Sequence, residues 1–383
     1  MRLLHTSDWH LGRSLHRADL RDAQAAFLDH LVETARAEKV DAVLVSGDVY
    51  DRAIPPLDAV KLCEEALIRL RDAGARVILV SGNHDSARRL GFSSALIDAA
   101  GVHLRTQAEG VGRPVLLDDA YGTVAVYGIP YLEPSAGLAG YDPEPGTPRS
   151  HQGVIGEAVR RVQADCRERA ARTVVMAHGW VTGGQPSDSE RDIRVGGAGD
   201  VPAALFEGFS YVALGHLHGQ QKIADHIRYS GSPLPYSFSE ASHNKGSWLV
   251  ELGDGGKVRA ERVPAPVYRR LSVLRGTLED MLTSAQYAAM EEDFLAVTLT
   301  DAARPDAAMD RLRRRFPHVL TLEFKPEGVT ADGRSYRDRV KGKGDLDVAA
   351  EFVRHVAGGE PTEGERELLA AAFAASGAAG GGR

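Results

Sequence analysis

Cysteine is nearly absent from this chain of 383 residues: only Cys63 and Cys166 occur, and neither sits in a C-x-x-C pair. That argues against a cysteine-based zinc site. Cys63 shares a helical stripe with Val60, Leu67 and Leu70 and reads as a buried apolar thiol. Cys166 lies on another helical segment and receives no role. No uninterrupted apolar run reaches the roughly 18 residues of a membrane span. Positive charge is not in excess either; the net charge is -7, which excludes a protein that holds nucleic acid by charge alone. No G-x-x-x-x-G-K-[ST] loop occurs, so the chain lacks the P-loop signature for nucleotide phosphates. Met1 to Asp8 turns polar too soon for a signal peptide, and the cytoplasm is the expected compartment.

What is present is ordinary in bulk. Hydrophobic residues make up 43% and charged residues 26%, which are soluble globular proportions. The length implies two or more units. The 14 histidines are informative through where they fall.

Five short apolar runs read as buried strands: 3–6, 42–45, 77–80, 173–176 and 211–214. Amphipathic helices from about Asp22 to Ala37 and from about Leu57 to Ala73 separate the first three. The first would bury Phe27, Leu28, Leu31, Val32 and Ala35, and Gly74 suits the end of the second. Alternating strands and helices argue for a layered α/β domain. A strand pair is expected from about Pro114 to Tyr131 around Tyr121-Gly122. Pro134 to Gly153 reads as a long surface loop. Strands without long helices follow His218, at 227–229, 247–250 and 258–260.

Near Pro264-Ala265-Pro266 a second unit begins, giving provisional divisions of 1–265, 266–330, 331–344 and 345–383. Strands at 271–274, 294–299 and 319–324, with a helix from about Pro305 to Phe316, make a small α+β domain. Met309, Leu312 and Phe316 would face inward, and Arg311, Arg313, Arg314 and Arg315 largely outward. Arg334 to Lys343 reads as a basic linker. Two short amphipathic helices close the chain. The first carries Val348, Phe352 and Val356. The second has a capping box at Thr362 and Glu365, and carries Leu368, Leu369 and Phe373. Each is too short to be stable alone, so each packs on its own protein or on a partner.

Each of the five apolar strands ends in a metal-ligand residue type. The ends are Asp8-Trp9-His10, Gly47-Asp48, Gly82-Asn83-His84-Asp85, His178-Gly179 and Gly215-His216-Leu217-His218. Sites in α/β sheets form at the carboxyl ends of strands. If the strands are neighbours, Asp8, His10, Asp48, Asn83, His178, His216 and His218 converge. Seven ligands are too many for one ion and suit two, roughly 3.5–4 Å apart, the arrangement used on phosphate esters. Asp48 is the natural bridge. Imidazole, carboxylate and amide without thiolate fit Mn²⁺ best, with Mg²⁺, Fe and Zn²⁺ still open. A lone D-x-H or H-x-H is weak, and the flanking glycines have a plain reading as turn formers; the recurrence at five strand ends is what carries weight.

The order D-x-H, GD, GNHD, H and GHxH resembles the calcineurin-like metallophosphoesterase superfamily. HTSDWHLGRSL (5–15), GDVYDRAIPP (47–56), SDSERDIRVGG (187–197), GHLHGQQ (215–221) and YSGSPLPYSFSE (229–240) narrow the resemblance to its SbcD nucleases, across nearly the whole chain. GDVYDR also approaches the phosphatase pattern GDxxDRG, but Ala53 replaces its final glycine and GNHD replaces GNHE. The resemblance implies a layered β-sandwich phosphoesterase domain with flanking helices, a small α+β capping domain that helps admit DNA, and a helical tail. It implies one ion on Asp8, His10, Asp48 and His218, and another on Asp48, Asn83, His178 and His216, with a water between them as nucleophile. His84 would assist without binding metal, with Asp51 orienting it. Asp85 and Asp225 would be structural. Arg311, Arg313, Arg314 and Arg315, with the linker's Arg and Lys, would contact phosphates or simply form a solvated face. The tail would dock on an SbcC-type ATPase, and the nuclease would dimerise through first-domain helices. The implied activity is Mn²⁺-dependent 3′ to 5′ exonuclease and endonuclease cutting at the nucleoid. A small-molecule or phosphoprotein phosphoesterase and a non-catalytic scaffold are the competing readings.

Overall fold

A computed structural model describes residues 1–134, 148–191, 193, 200–327, 340, 342–357 and 359–379. The chain divides into two compact units, Met1–Tyr268 and Arg269–Arg383. The first contains β1 (Arg2–Thr6), β2 (Ser14–Leu15), β3 (Ala18–Asp19), β4 (Ala42–Ser46), β5 (Arg76–Val80), β6 (Val102–Arg105), β7 (Val115–Asp119), β8 (Gly122–Ile129), β9 (Arg172–His178), β10 (Tyr211–Gly215), β11 (Gln221–Ala224), β12 (Ile227–Tyr229), β13 (Gly246–Leu252) and β14 (Val258–Pro264).

These strands form two six-stranded sheets, β14-β13-β1-β4-β5-β6 and β11-β12-β10-β9-β8-β7. Strands β1, β4, β5 and β6 run parallel, as do β8, β9, β10 and β12. Antiparallel pairs close the sheets at β13–β14, β11–β12 and β7–β8. Every residue of β4 is buried, because both of its faces are covered.

Alternate residues along each strand point to opposite faces. Leu3, Leu44, Ile78 and Val80 meet Val124, Val126, Val174, Met176 and Ala213 in the layer between the sheets. Leu4, Val43, Val45, Val77 and Leu79 instead pack under helices Arg21–Ala37 and Leu57–Asp72. Helix His151–Arg167 covers the other sheet through Val154, Ile155, Ala158, Val159 and Val162. The fold is therefore a layered α/β sandwich, with the five apolar runs divided between its two sheets: three in one and two in the other.

Several expectations need correction. The loop expected to Gly153 ends at Ser150, whose hydroxyl accepts from Gly153 N at 3.2 Å and caps the helix; 135–147 lies outside the described residues. Strand β11 is too short and polar to show as an apolar run. On the helix Leu57–Asp72, Cys63 and Leu70 are buried, but Val60 is exposed.

The second unit holds β15 (Leu271–Gly276), β16 (Phe294–Leu299) and β17 (Val319–Phe324), which form a parallel sheet. A helix not foreseen from the sequence, Leu278–Thr283, follows β15 and is capped by Thr277. The basic helix starts later than expected, at Ala308, and ends at Arg315. It buries Leu312 and packs Met309 against the same core, which also takes Phe316. Arg315 does not face out. Its guanidinium donates to Glu291 Oε1 at 2.9 Å and to Met281 O at 2.9 Å, because the segment before β16 places acceptors beside it.

The tail forms helices Asp345–Ala357 and Glu363–Ala379. Glu365 Oε2 accepts from Thr362 N at 2.7 Å and Thr362 Oγ1 from Glu365 N at 3.3 Å, a reciprocal capping box. Val356 lies outside the described side chains, as do most linker residues, 334–339 and 341.

Candidate metal centre

The parallel strands of both sheets deliver their carboxyl ends to one place. Asp8 and His10 follow β1, Asp48 follows β4, and Asn83 and His84 follow β5. His178 ends β9, and His216 and His218 follow β10. All seven expected ligands are brought together. Ligand atoms of Asp8, His10 and His218 lie within 4.8 Å of one another, and so do those of Asp8, Asp48 and His178. The Nε2 atoms of His10 and His218 are 3.0 Å apart. Asp48 Oδ2 stands 3.6 Å from His10 Nε2 and 3.6 Å from His178 Nε2, common to both halves of the cluster. Asn83 Oδ1 is 2.9 Å from His178 Nε2 and 3.1 Å from His216 Nδ1.

Local backbone conformation explains how such short loops reach inward. Asp8 (φ 53°), His10 (φ 46°), Asp48 (φ 48°) and His216 (φ 106°) all have positive φ. Each costs about 1–2 kcal/mol for an L-residue, and such strain collects at functional sites. Hydrogen bonds offset it. Asp8 N donates to Gly47 O, His10 N to Asp48 O and Leu11 N to Val49 O, each at 2.9 Å. The glycines admit close approach: a Cβ on Gly82 would stand 2.2 Å from Asp48 Oδ1, and one on Gly47 2.2 Å from His178 Nδ1.

The donor set fits divalent cations. His178 Nδ1–H donates to Ser46 O at 2.9 Å, so Nε2 presents a lone pair to the centre. Burial lowers the basicity of His10, His178 and His216, which keeps them neutral with lone pairs free. Burial, then the Asp48 charge, raises the Asp8 carboxyl well above the usual range. Asn83 Nδ2, His216 Nε2 and His10 Nδ1 are buried without a hydrogen-bond partner. Crowded acceptors and repelling carboxylates are what bound cations relieve.

His84 stands beside the cluster, its ring 4.7 Å from that of His10. Its Nδ1–H donates to Asp51 O at 2.7 Å, and its N–H to Asp48 Oδ1 at 2.8 Å. The contact between Asp51 and the His84 ring is thus made by the Asp51 main chain. The Asp51 carboxylate lies 3.8 Å from His10 Nδ1 and 3.7 Å from Arg13 Nε. Asp85 has a supporting place: it accepts from Val49 N, Tyr50 N and Gly82 N, tying two ligand loops together. Asp225 is far more exposed and pairs with Lys222 at 2.5 Å.

The sequence reading missed an outer ring around His218. Its Nδ1 is 2.5 Å from Ser189 Oγ, and its backbone N–H donates to Glu190 Oε1 at 2.6 Å. Ser189 Oγ donates to Glu240 Oε1, and Lys245 Nζ donates to Glu240 Oε2 and, at 2.8 Å, to His218 O. Burial alone would raise the Glu240 carboxyl; the bonds from His218 and Lys245 override it and hold it well below its usual range. Of the quoted motif SDSERDIRVGG, residues 192 and 194–197 lie outside the described residues. Arg311, Arg313, Arg314 and Arg315 belong to the second unit.

Calcineurin-like phosphoesterases are matched over residues 1–220, more than half of the chain, and the chain belongs to that family. Residues 267–357 match SbcD_C, described as the type 5 capsule protein repressor C-terminal domain, which makes the chain SbcD-like in its domain make-up. Among solved structures the chain is similar to TT1561 of Thermus thermophilus, with 14% identity, 68% of this chain and 98% of that chain covered, and a TM-score of 0.41. It is similar to a dimetal phosphatase from Danio rerio, with 15% identity, 68% and 98% coverage, and a TM-score of 0.39. It is also similar to GAP50 of Plasmodium, described as the anchor in the inner membrane complex, with 12% identity, 88% and 99% coverage, and a TM-score of 0.40. Among the described residues no helix is long and apolar enough to cross a membrane.

Proposed function

We propose that this protein is a two-metal DNA nuclease, a 3′ to 5′ exonuclease and endonuclease on double-stranded and hairpin DNA. It works with an SbcC-type ATPase in DNA repair and recombination, in the cytoplasm at the nucleoid. One combination carries the reading: a full oxygen and nitrogen ligand cluster in a calcineurin-like phosphoesterase that continues into an SbcD-type C-terminal domain.

Asp8, His10, Asp48 and His218 hold one cation, and Asp48, Asn83, His178 and His216 the other. The mixed donors without thiolate favour Mn²⁺. When bound, the cations supply Lewis-acid charge to the phosphoryl oxygens and lower the pKa of water. The chain's own residues do the rest. Asp48 spaces the two halves. His84, its Nδ1–H held by Asp51 O, keeps Nε2 for protonating the leaving oxygen or stabilising the transition state.

With a net charge of -7, the chain needs local cations to hold a polyanion. Arg311, Arg313 and Arg314 are the phosphate contacts proposed on the second unit; Arg315 is engaged with Glu291. Ile54, Leu57, Ile68, Phe92 and Leu96 are exposed on and beside the helices Leu57–Asp72 and Ser94–Ile97, an apolar surface suited to a second copy of the chain. Leu346, Phe352, Leu368 and Phe373 are exposed on the tail helices, the proposed dock for the ATPase coiled coil.

The test is digestion of linear and hairpin DNA with Mn²⁺, with and without the ATPase subunit. DNA cleavage supports the reading. Hydrolysis of nitrophenyl esters or phosphoproteins with DNA left intact replaces it with a small-molecule or phosphoprotein phosphoesterase.

A further inference from the structure

The four imidazoles of the centre are unequally supported. His178 Nδ1 meets a neutral carbonyl, Ser46 O, at 2.9 Å. His216 Nδ1 meets an amide oxygen, and its Nε2 has no partner. His10 Nδ1 has no hydrogen bond, and its nearest carboxylate, Asp51, is 3.8 Å away. His218 differs. From its Nδ1–H a chain of hydrogen bonds runs through Ser189 Oγ to Glu240 Oε1, which also lies 3.5 Å from that Nδ1. The Glu240 side chain is fully buried. Lys245 fixes its other oxygen, reaches Ser232 Oγ at 2.9 Å and holds the His218 carbonyl. The amide and carbonyl of His218 are thus fixed directly by charged groups, Glu190 and Lys245, and its ring is tied to Glu240 through the Ser189 hydroxyl.

The two halves of the centre also differ in charge. The half containing His10 and His218 has the Asp8 carboxylate in addition to Asp48. The half containing His178 and His216 has the neutral Asn83 amide in addition to Asp48. A carboxylate behind an imidazole orients it and raises its basicity as a ligand. More ligand charge also strengthens the hold on a hard divalent cation. Both effects favour the same half.

We propose that Glu240 is a positioning residue that, through Ser189, orients and strengthens His218, so that the cation on Asp8, His10, Asp48 and His218 is retained while the cation on Asp48, Asn83, His178 and His216 exchanges with free metal. This rests on the two-metal reading above. The protein then keeps one ion through purification, and activity follows free metal through the second position alone.

The test is calorimetric titration of the metal-stripped full chain with Mn²⁺, with free Mn²⁺ followed in parallel by electron paramagnetic resonance. The wild type is expected to show two sites of unequal affinity. Glu240→Gln weakens the tighter site by about 10- to 100-fold and leaves the weaker one unmoved. Asn83→Ala removes the weaker site and spares the tighter. Ser189→Ala, which keeps the buried ion pair, shifts the tighter site in the same direction and serves if Glu240→Gln does not fold. Two equal sites in the wild type overturn the proposal. So does an unmoved tight site in the variants, or an equal loss at both sites in step with a falling Tm, which marks Glu240 as merely structural. These outcomes leave the two-metal reading intact; failure of the wild type to bind a second Mn²⁺ overturns that reading and this proposal together.

Discussion

The Nε2 of His178 stands 2.9 Å from the Oδ1 of Asn83, one acceptor against another. The proton of that imidazole is already committed to Ser46 O on the opposite nitrogen. A cation between the two acceptors turns this repulsion into binding. Chelation is therefore expected to lower Tm, and Mn²⁺ to restore it. Free metal at a thousandfold excess over Kd stabilises by about 4 kcal/mol. Scanning calorimetry with and without chelator checks this, and a Tm indifferent to metal counts against the centre.

Asp48 is expected to oppose folding when metal is absent. Burial and the Asp48 charge both disfavour ionised Asp8. Asp48→Asn removes the repulsion and keeps an oxygen for His84 N. The metal-free variant should be more stable than wild type, by up to about 3–4 kcal/mol at the effective dielectric of about 20 typical of pairs near a protein surface, yet bind little Mn²⁺. Urea denaturation and metal analysis together test the pair of outcomes; an Asp48→Asn protein that keeps both ions contradicts the bridging role.

His84→Ala should separate chemistry from metal binding. General acid–base groups contribute about 10²–10⁴-fold, so single-turnover cleavage should fall by that factor with both ions retained. Unchanged cleavage removes His84 from the mechanism.

His5 sets an acid limit. It lies between the sheets, its Nδ1 2.9 Å from Tyr211 OH and its Nε2–H donating to Leu214 O at 3.1 Å. Burial, with a smaller push from Arg228, lowers its pKa to about 3 against the bonding from Leu214. A His whose folded pKa is depressed gives full stability above its unfolded value near 6.5 and loses it as pH falls toward the folded value. The loss between pH 7 and 5 is about 2 kcal/mol. Metal-free His5→Gln should show an acid slope shallower by that amount in urea melts at stepped pH; parallel slopes reject the assignment.

Leu57→Glu with Leu96→Glu should produce a monomer, because both side chains are about four-fifths exposed, at 79% each, and neither supports the core. Sedimentation velocity reads the state, and nitrophenyl diester hydrolysis should persist. A dimer that survives both charges uses another surface.

The five strands that lead to the proposed ligands were legible because parallel strands covered on both faces must be apolar throughout, which gives unbroken runs ending at Gly or a polar residue. Their division between two sheets was not legible, since an apolar run carries no record of its neighbour. Glu240 and Lys245 escaped for a different reason. A charged residue in a Ser-rich loop is exposed by default, and only partners from remote segments allow its burial. Arg315 was misjudged in the same way, because helix periodicity could not reveal Glu291 beside it. Helix Leu278–Thr283, only six residues long, was too short for its periodicity to register.

The hydrogen bonds that join Asp8, His10 and Leu11 to Gly47, Asp48 and Val49 carry the β1–β4 ladder past the end of the sheet. Asp8, His10 and Asp48, three of the proposed ligands, therefore ride on a single plank, with their spacing set by the backbone. A cation of different radius cannot be accommodated by spreading them. Adjustment to such a cation falls to the turns after β5, β9 and β10, which carry the remaining proposed ligands Asn83, His178, His216 and His218.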